Sequence, residues 1–386
     1  MTIEGRCDPA FRAVREEFAR GFGELARDPE RRETGAAVAV TVGGRTVVDL
    51  WGGVADPEAG RHWGRHTLAN VFSTSKGITA LLAHRLVEQG RLDLEAPVAR
   101  YWPEFAAKEK AGIRVHQLLS HRAGLAALRE PLAAEDIYCW DRMSAALAAE
   151  RPWWTPGERH GYHAFTFGWL VGELIRRVSG SSPGRFLREE VAGPLGLDLH
   201  IGIEAIHHER VARLTPLPPA RPGSDPMQLV SRILAAPGSV SARAFTNPPN
   251  LLAPGEVNST RWREAEIPAA NAHATARALA ALYAAAASGT LLSRESLARC
   301  SGETSAGPDE VLRIPTRFSL GFMLGRPGAS FGPGARTFGH PGAGGSLGLA
   351  DPDAGLGFGY VPNRMGAHVL VDPRAEALLQ AVYGCL

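Results

Sequence analysis

The sequence predicts an α+β fold, in which an antiparallel sheet built from both ends of the chain is flanked by helices and carries a mainly helical insertion. Two observations indicate the sheet: β-branched runs lie on either side of Gly43-Gly44 within residues 35–53, and strand-like runs return after residue 312. Between these regions, helical periodicity with proline and glycine breaks predominates. The fold class is therefore expected to be that of an α/β sandwich with an inserted helical region.

This order of elements indicates a single folded unit over residues 1–386, with two lobes. An α/β lobe is expected from residues 1–80 together with 290–386, and a mainly helical lobe from 81–289. Residues 215–255 are rich in proline and glycine, and we expect them to cross a surface or a pocket instead of linking separate domains.

The individual elements follow from local periodicity. The polar amphipathic start of the chain, residues 1–22, is predicted as the first helix, and residues 35–53 as a hairpin that turns at Gly43-Gly44. Apolar residues at helical spacing before a glycine predict later helices, and short apolar runs separated by turn residues predict the last strands. The later predictions are, in order, helices over 75–89, 165–180 and 272–289, strands within 317–324 and 346–363, and a helix over 373–386.

Composition and charge argue against several function classes. A formal net charge of +2, with acidic and basic residues mixed throughout, gives no electrostatic footprint for nucleic acid or for an anionic membrane. No apolar run has membrane-spanning length and the polar N-terminus does not resemble a signal peptide, so we expect a cytoplasmic protein. The four scattered cysteines predict free thiols, and no metal or cofactor is expected. The oligomeric state stays open.

One lysine in an apolar stretch is the strongest chemical signal. Of 42 lysine and arginine residues only Lys76, Lys108 and Lys110 are lysine, and the last two lie in a polar stretch where we expect solvent. Lys76 lies in NVFSTSKGITALLAHRL, three residues after Ser73 and at the predicted start of a helix. A serine hydroxyl becomes nucleophilic when a neighbouring base takes its proton, and a lysine is such a base when burial and a helix N-terminus lower its pKa. An arginine cannot replace it, because its guanidinium does not lose a proton.

So short a pattern as S-x-x-K also occurs by chance, but two later segments supply the partners that this chemistry needs. Tyr162 follows a Pro-Gly turn and precedes a predicted helix, and His340-Pro341-Gly342 stands at a strand before a run of glycines. Glycines there would let a substrate approach the backbone. Together these motifs resemble the serine β-lactamase and penicillin-binding superfamily. Over nearly the whole chain, the flanking segments are most similar to the class C β-lactamase-like esterases called family VIII carboxylesterases.

This resemblance implies the catalytic roles. Ser73 would be the acylated nucleophile, and Lys76 and Tyr162 would act as one coupled general base and acid. His340 would be the fourth catalytic residue, in the place where β-lactamases have the lysine of their K-T-G motif. The backbone N–H groups of Ser73 and Ala343 would form the oxyanion hole.

Two further residues are implied as substrate contacts. Gly342 would let the substrate approach the strand, and His163, next to the tyrosine, is a candidate contact whose simpler interpretation is structural. His121 in LLSHRAGL is expected to be a packing and turn residue. No metal is implied.

Two departures from the family pattern favour esters over β-lactams. The β-lactamase Y-x-N motif reads Tyr162-His163-Ala164 here and lacks the amide, and His340 replaces a lysine that would bind a β-lactam carboxylate. We therefore predict a serine carboxylesterase whose partner is a small-molecule ester, with a short acyl chain. An acyltransferase with the same acyl-enzyme stays an alternative, as do β-lactamase or D-aminopeptidase activity and a non-enzymatic binding protein.

Other motifs fail on their context. The G-x-S-x-G matches around Ser182 and Ser346 do not lie between a strand and a helix, as a nucleophile elbow must. The segment IHHER, residues 206–210, lacks the spacing of a zinc site, and the glycine clusters are not in the strand-to-helix turn of a dinucleotide site.

Overall fold

The structure is a computed structural model that describes residues 2–23, 26, 29–216, 223–249, 251, 255–327 and 330–386. Its strands are β1 (Ile3–Cys7), β2 (Gly35–Val42), β3 (Arg45–Asp56), β4 (Arg61–His62), β5 (Ala69–Asn70), β6 (Leu199–Ile201), β7 (Ala272–Ala274), β8 (Ser305–Pro308), β9 (Pro315–Phe318), β10 (Met323–Leu324), β11 (Phe338–Pro341), β12 (Leu347–Asp351) and β13 (Leu356–Pro362). Its α-helices are α1 (Arg12–Arg20), α2 (Thr74–Glu88), α3 (Val115–Leu119), α4 (Trp140–Ala149), α5 (Thr166–Ser179), α6 (Pro183–Leu187), α7 (Asp225–Ala235), α8 (Val240–Thr246), α9 (Thr260–Glu264), α10 (Ala276–Ala287), α11 (Arg294–Ser301) and α12 (Pro373–Tyr383).

Shorter helical segments connect these elements. The 3-10 helices are Pro9–Phe11, Pro29–Arg31, Val98–Arg100, Pro103–Ala106, Ala134–Tyr138, Ala205–Arg210 and Glu256–Asn258, and a π-helical turn covers Arg188–Ala192. Among the described residues, no helix is both long and apolar enough to cross a membrane.

Both ends of the chain contribute to one large antiparallel sheet. Within the described ranges it has ten strands in the order β1-β3-β2-β13-β12-β11-β10-β9-β8, and β4 pairs with β3 off this path. The central contact joins strands from the two ends of the chain, because β13 pairs with β2 along the whole length of β13, from Pro362 opposite Ala36 to Leu356 opposite Val42. A smaller sheet has the order β5-β7-β6. The predicted α+β class with a sheet from both termini is therefore confirmed.

The hairpin predicted at Gly43-Gly44 is also present. Both glycines have positive φ, +55° and +78°, which is the backbone geometry that a two-residue hairpin turn requires. The predicted helix ending at Gly180 is α5, and Gly180 itself adopts the left-handed conformation, with φ +77°. These elements depend on signals within a few residues of sequence, so they could be predicted from the sequence alone.

Helix α2 occupies the centre of the molecule. Twelve of its residues are buried, and it contacts α5 and α6 of the helical region as well as β11 and β12 of the large sheet. Its N-terminus therefore lies at the junction between sheet and helices. Helix α10, within the predicted helical lobe, packs on β2 and β13 of the sheet. The boundaries of the two lobes stay a prediction.

Three local predictions were wrong. Residues 3–7 form β1, not the start of a helix, because they pair with the edge of β3, from Ile3 opposite Gly52 to Cys7 opposite Val48. Residues 272–274 pair between two strands as β7 before α10 begins. Lys110, expected in solvent, is buried, and its ammonium donates to the carbonyls of Ala107, Ala148 and Glu150 at 2.7, 2.8 and 2.6 Å. In the 215–255 excursion, residues 217–222, 250 and 252–254 lie outside the described residues.

Candidate active site

Ser73 lies at the N-terminus of α2 and is presented by a strained residue. The preceding Phe72 has φ +42°, a conformation that a bulky side chain rarely adopts. Its carbonyl accepts the N–H of Ser75 at 2.9 Å, and its side chain packs with Leu214 and Met365. In the fully described stretch from residue 67 to residue 84, Ser73 is the one residue that is not buried. The surrounding structure thus holds the backbone in a shape that leaves only Ser73 in this stretch partly accessible to solvent.

The Lys76 side chain reaches back to this serine from one helical turn further along α2. Its Nζ lies 3.1 Å from Ser73 Oγ and 3.0 Å from the carbonyl oxygen of Ala269, and the side chain is fully buried. Burial lowers the pKa of Lys76 well below its ordinary value, because the charged amine would lose its hydration. The uncharged amine, which has a lone pair, is therefore favoured next to the serine hydroxyl.

Tyr162 closes the other side of the serine. Lys76 Nζ lies 4.7 Å from the centre of the Tyr162 ring. Burial raises the pKa of Tyr162, and the neighbouring Ser73 side chain only partly opposes this effect. Burial therefore favours an uncharged amine at Lys76 and a protonated phenol at Tyr162 in the resting site.

Asp309 holds the tyrosine in place, and no local sequence pattern indicates this contact. The N–H of Tyr162 donates to both oxygens of the buried Asp309 carboxylate, at 3.1 and 3.0 Å. The same carboxylate accepts the N–H groups of Val311 and Leu312, each at 2.8 Å, and the hydroxyl of Thr316 at 3.0 Å. The sequence separation of 147 residues between Asp309 and Tyr162 explains why no local pattern reveals this contact.

His340 joins the site as a neutral acceptor. Its ring stacks on Tyr162 with 5.9 Å between ring centres. Nδ1 lies 2.7 Å from the carbonyl oxygen of Pro341, so Nδ1 carries the hydrogen and Nε2 a lone pair. The described part of the chain offers no partner to the buried Nε2. Burial lowers the pKa of His340 to about 3, so the ring is uncharged at neutral pH.

A tight turn after β11 presents the backbone of Ala343. The N–H of Gly345 donates to the carbonyl of Gly342 at 3.0 Å, and Gly344 has φ +84°, which together describe a turn with Ala343 and Gly344 at its corner. Ala343 is exposed, and within the described residues its N–H meets no acceptor. The N–H of Ser73 is likewise without an acceptor there. Among the described residues, the N–H groups of Ser73 and Ala343 are therefore both free to donate a hydrogen bond, as the expected oxyanion donors must be.

Two hydroxyl groups join the Ala343 turn to the start of α2. Ser346 Oγ donates to the carbonyl of Val71 at 2.8 Å and lies 3.1 Å from Thr74 Oγ1, which in turn donates to the carbonyl of His340 at 3.1 Å. A Cβ on Gly342 would lie 2.2 Å from the Val71 carbonyl oxygen, so only glycine allows this approach. Ser346, part of a G-x-S-x-G match, is thus a structural clamp between both oxyanion segments.

His163 lies beside the site but has no nitrogen left for a substrate. Its Nε2 accepts the N–H of Leu125 at 3.1 Å, and Nδ1 donates to the carbonyl of Gly161 at 2.7 Å. The ring is fully buried, and burial lowers its pKa to about 4. His121 accepts the N–H of His163 at 3.2 Å and contacts the Tyr162 ring at 5.3 Å between centres. Both histidines support the loop that carries the tyrosine.

The competing motifs have other roles. Ser182 caps α6 and donates to Glu266 at 2.6 Å, so it is engaged in a structural contact. Residues 206–210 lie in a 3-10 helix, and no group of three histidine, cysteine or acidic residues in the described ranges is arranged to hold a metal ion.

The fold, together with a serine at a helix start flanked by a buried amine and a phenol, defines a serine hydrolase. The model of the family named Beta-lactamase matches residues 12–383, and this chain belongs to that family. It is 39% identical over 383 residues to "Esterase/beta-lactamase LipL" of Mycobacterium tuberculosis (strain ATCC 25618 / H37Rv), covering 97% of this chain and 86% of that protein.

Two solved structures are similar over the full length of both chains. One is the crystal structure of a family VIII carboxylesterase, with a TM-score of 0.89 and 38% identity. The other is a penicillin-binding protein homolog from Caulobacter crescentus, with a TM-score of 0.88 and 37% identity. Both comparisons cover 100% of this chain and 100% of the other. The predicted family resemblance is confirmed.

Proposed function

We propose that this protein is a carboxylesterase that cleaves small esters with short acyl chains through an acyl-enzyme on Ser73. The observation that carries the proposal is the fully buried Lys76 side chain, whose Nζ lies 3.1 Å from Ser73 Oγ and whose pKa is lowered by that burial. A base must lie within hydrogen-bond reach of the proton that it removes, and this amine does. The relatives whose names include esterase and carboxylesterase agree with this substrate class.

In the first half of the reaction, Lys76 takes the Ser73 proton while the serine oxygen attacks the ester carbonyl carbon. The carbonyl oxygen becomes negative and is held by the N–H groups of Ser73 and Ala343. Tyr162 donates its proton to the departing alkoxide, and the carbon–oxygen bond breaks. Lys76 then returns a proton to the phenolate, which leaves an acyl group on Ser73 and an alcohol as the first product.

The second half repeats these steps with water. The uncharged Lys76 amine takes a proton from water, the resulting hydroxide attacks the acyl carbon, and the same two N–H groups hold the oxyanion. The proton passes back to Ser73 Oγ as the acid departs. An alcohol or amine in place of water would make the reaction an acyl transfer with the same residues.

The order of proton transfers follows from the charges of the site. At rest, burial disfavours both an ammonium at Lys76 and a phenolate at Tyr162. Once Lys76 is protonated, it stabilises a phenolate nearby by roughly 3 kcal/mol at a separation of about 5 Å and an effective dielectric constant of about 20. Tyr162 can therefore give up its proton only after Lys76 has gained one, so the pair acts in sequence.

His340 favours an ester over an anionic β-lactam in this site. Its Nε2 presents a lone pair without charge, and a substrate carboxylate would meet that lone pair instead of a cation. Ala164 supplies no side-chain amide next to the tyrosine. A neutral ester requires neither group.

The test is the release of p-nitrophenol from p-nitrophenyl acetate and butyrate, with mass spectrometry of the acylated chain. We expect a burst stoichiometric with enzyme and an acyl group on the peptide that contains Ser73. Ser73→Ala should abolish both, while the matched variant Ser182→Ala should keep both. An acyl group on another serine, or a burst in Ser73→Ala, would contradict the proposal. Faster turnover with added alcohol, together with formation of the new ester, would identify an acyltransferase.

A further inference from the structure

Behind the Ala343 turn lies a buried arginine whose hydrogen bonds end on that turn. Arg374 is the second residue of α12, and one of its terminal nitrogens donates to the carbonyl of Gly344 at 2.7 Å. The same carbonyl accepts the N–H of Gly366 at 3.0 Å. Both acceptor positions of the Gly344 oxygen are therefore occupied.

The guanidinium is itself fixed at every donor. Its five N–H groups have five acceptors: both oxygens of Asp372 at 2.9 and 3.0 Å, Glu33 at 2.9 Å, the carbonyl of Arg364 at 3.0 Å, and the carbonyl of Gly344. Glu33 and Asp372 are buried as well, and Glu33 also accepts the hydroxyl of Tyr360 from β13. Because all five N–H donors of this planar guanidinium are paired, the group is held in its orientation towards the Gly344 carbonyl.

The turn is also packed tightly against this charge network. A Cβ on Gly345 would lie 2.7 Å from an Arg374 nitrogen and 3.0 Å from Asp372. A Cβ on Gly366 would lie 1.9 Å from Asp372. The glycines that the sequence places after His340 therefore admit a buried guanidinium under the turn, in addition to admitting a substrate above it.

We infer that Arg374 is a positioning residue that fixes the direction of the Ala343 N–H, and that Glu33, Asp372 and Tyr360 hold Arg374 for this purpose. A turn with glycine at its second corner has access to more than one peptide orientation. The Gly344 carbonyl shares its peptide group with the Gly345 N–H, which donates to the Gly342 carbonyl at 3.0 Å, and that carbonyl shares its peptide group with the Ala343 N–H. Holding the Gly344 carbonyl therefore selects one orientation of the turn before the substrate arrives. The inference rests on the proposed function, in which the Ala343 N–H binds the oxyanion.

A device of this kind affects the transition state more than the bound substrate, because negative charge develops on the carbonyl oxygen only during the reaction. Arg374→Lys keeps the charge near Glu33 and Asp372 but cannot supply the planar fork that also reaches Gly344. We expect kcat to fall roughly 10- to 100-fold with KM nearly unchanged, since complete loss of one oxyanion donor costs about 10²–10³ in kcat.

The experiment measures kcat, KM and the affinity of an alkyl boronic acid, which forms a tetrahedral adduct with a nucleophilic serine. Arg374→Lys should weaken boronate binding by the same factor as kcat, and thermal melting checks that the variant is folded. Arg336→Lys is the matched control, because Arg336 forms an exposed pair with Asp353. This control should leave all three values unchanged.

If Arg374→Lys is unstable, Glu33→Gln keeps the inference testable, because this variant leaves Arg374 in place and removes one of its charged partners. It should lower kcat and boronate affinity in the same proportion, by a smaller factor. Unchanged kcat and boronate affinity in folded variants, or a rise in KM alone, would overturn the inference. If Ser73→Ala kept full activity, the proposed function would fail instead, so the two failures are distinguishable.

Discussion

Replacing Lys76 with arginine separates the charge of this side chain from its ability to accept a proton. Arginine keeps the positive charge, but its guanidinium cannot serve as a base. Lys76 Nζ lies within hydrogen-bond distance of two oxygens, Ser73 Oγ and the Ala269 carbonyl oxygen. An arginine would bring five donors and a permanent charge into a site where burial already disfavours an ammonium. We therefore expect a folded but inactive variant with reduced stability.

The magnitude follows from the lost step. General base catalysis contributes roughly 10²–10⁴ in rate, which corresponds to about 3–5 kcal/mol of activation free energy. We expect kcat/KM for p-nitrophenyl butyrate to fall by at least this factor in Lys76→Arg, with the burst lost as well. Single-turnover kinetics measure the acylation step directly, and circular dichroism confirms the fold.

Lys110 provides the matched control. It is the other buried lysine, and its ammonium donates to three carbonyl groups in the helical region. Lys110→Arg is expected to lower stability without changing kcat of the folded protein. If Lys76→Arg retained kcat within about tenfold of the wild type, the amine at position 76 would not be the base.

Three further outcomes are expected. Tyr162→Phe should lower kcat by roughly 10²–10⁴ with little change in KM, because the leaving alkoxide loses its proton donor; an unchanged kcat would assign that proton to another group. His340→Lys should raise kcat/KM for a chromogenic cephalosporin relative to the ester by roughly 10- to 100-fold, since a charge-assisted hydrogen bond contributes about 1.5–3 kcal/mol, and an unchanged ratio would refute the role given to the neutral ring. Lys76→Met should change the pH dependence of stability: the folded-state pKa of Lys76 is lowered, so the unfolded chain binds the extra proton between that pKa and the ordinary lysine value, and wild-type stability rises with pH across this window. Urea unfolding at pH 7 and pH 9.5 measures this effect. The free energy of unfolding of the wild type, relative to that of Lys76→Met, should be larger at pH 9.5 than at pH 7. A difference in unfolding free energy that does not vary with pH would contradict the lowered pKa.

Local signals predicted a large part of this structure. The hairpin at Gly43-Gly44, the helix that ends at Gly180 and the spacing of Ser73 and Lys76 are each determined within a few residues of sequence. Burial of Lys76 was also predictable, because its neighbours are apolar and arginine replaces lysine almost everywhere else. The sequence therefore predicted both the fold class and the residues now found together.

Contacts between distant parts of the chain were not predictable in this way. Residues 3–7 became an edge strand because β3 offered unpaired backbone groups, which nothing in their own sequence indicates. Lys110 lies in a polar stretch but is buried under carbonyl groups from residues 148 and 150. Asp309 accepts a hydrogen bond from Tyr162, and Arg374 donates one to Gly344, and in each pair the two residues are distant in sequence. The strained φ of Phe72 depends on packing that only the folded protein provides.

The most direct measurement is the titration of Lys76 by NMR in protein labelled with ¹³C at the lysine ε-carbon. The chain has three lysines, so the spectrum is simple, and Lys76→Met assigns the signal. We predict that the Lys76 signal already has the chemical shift of an uncharged amine at neutral pH, and that its pKa lies well below the ordinary lysine value. A Lys76 signal that stays in the charged form up to pH 10 would contradict the central role of this amine as the base.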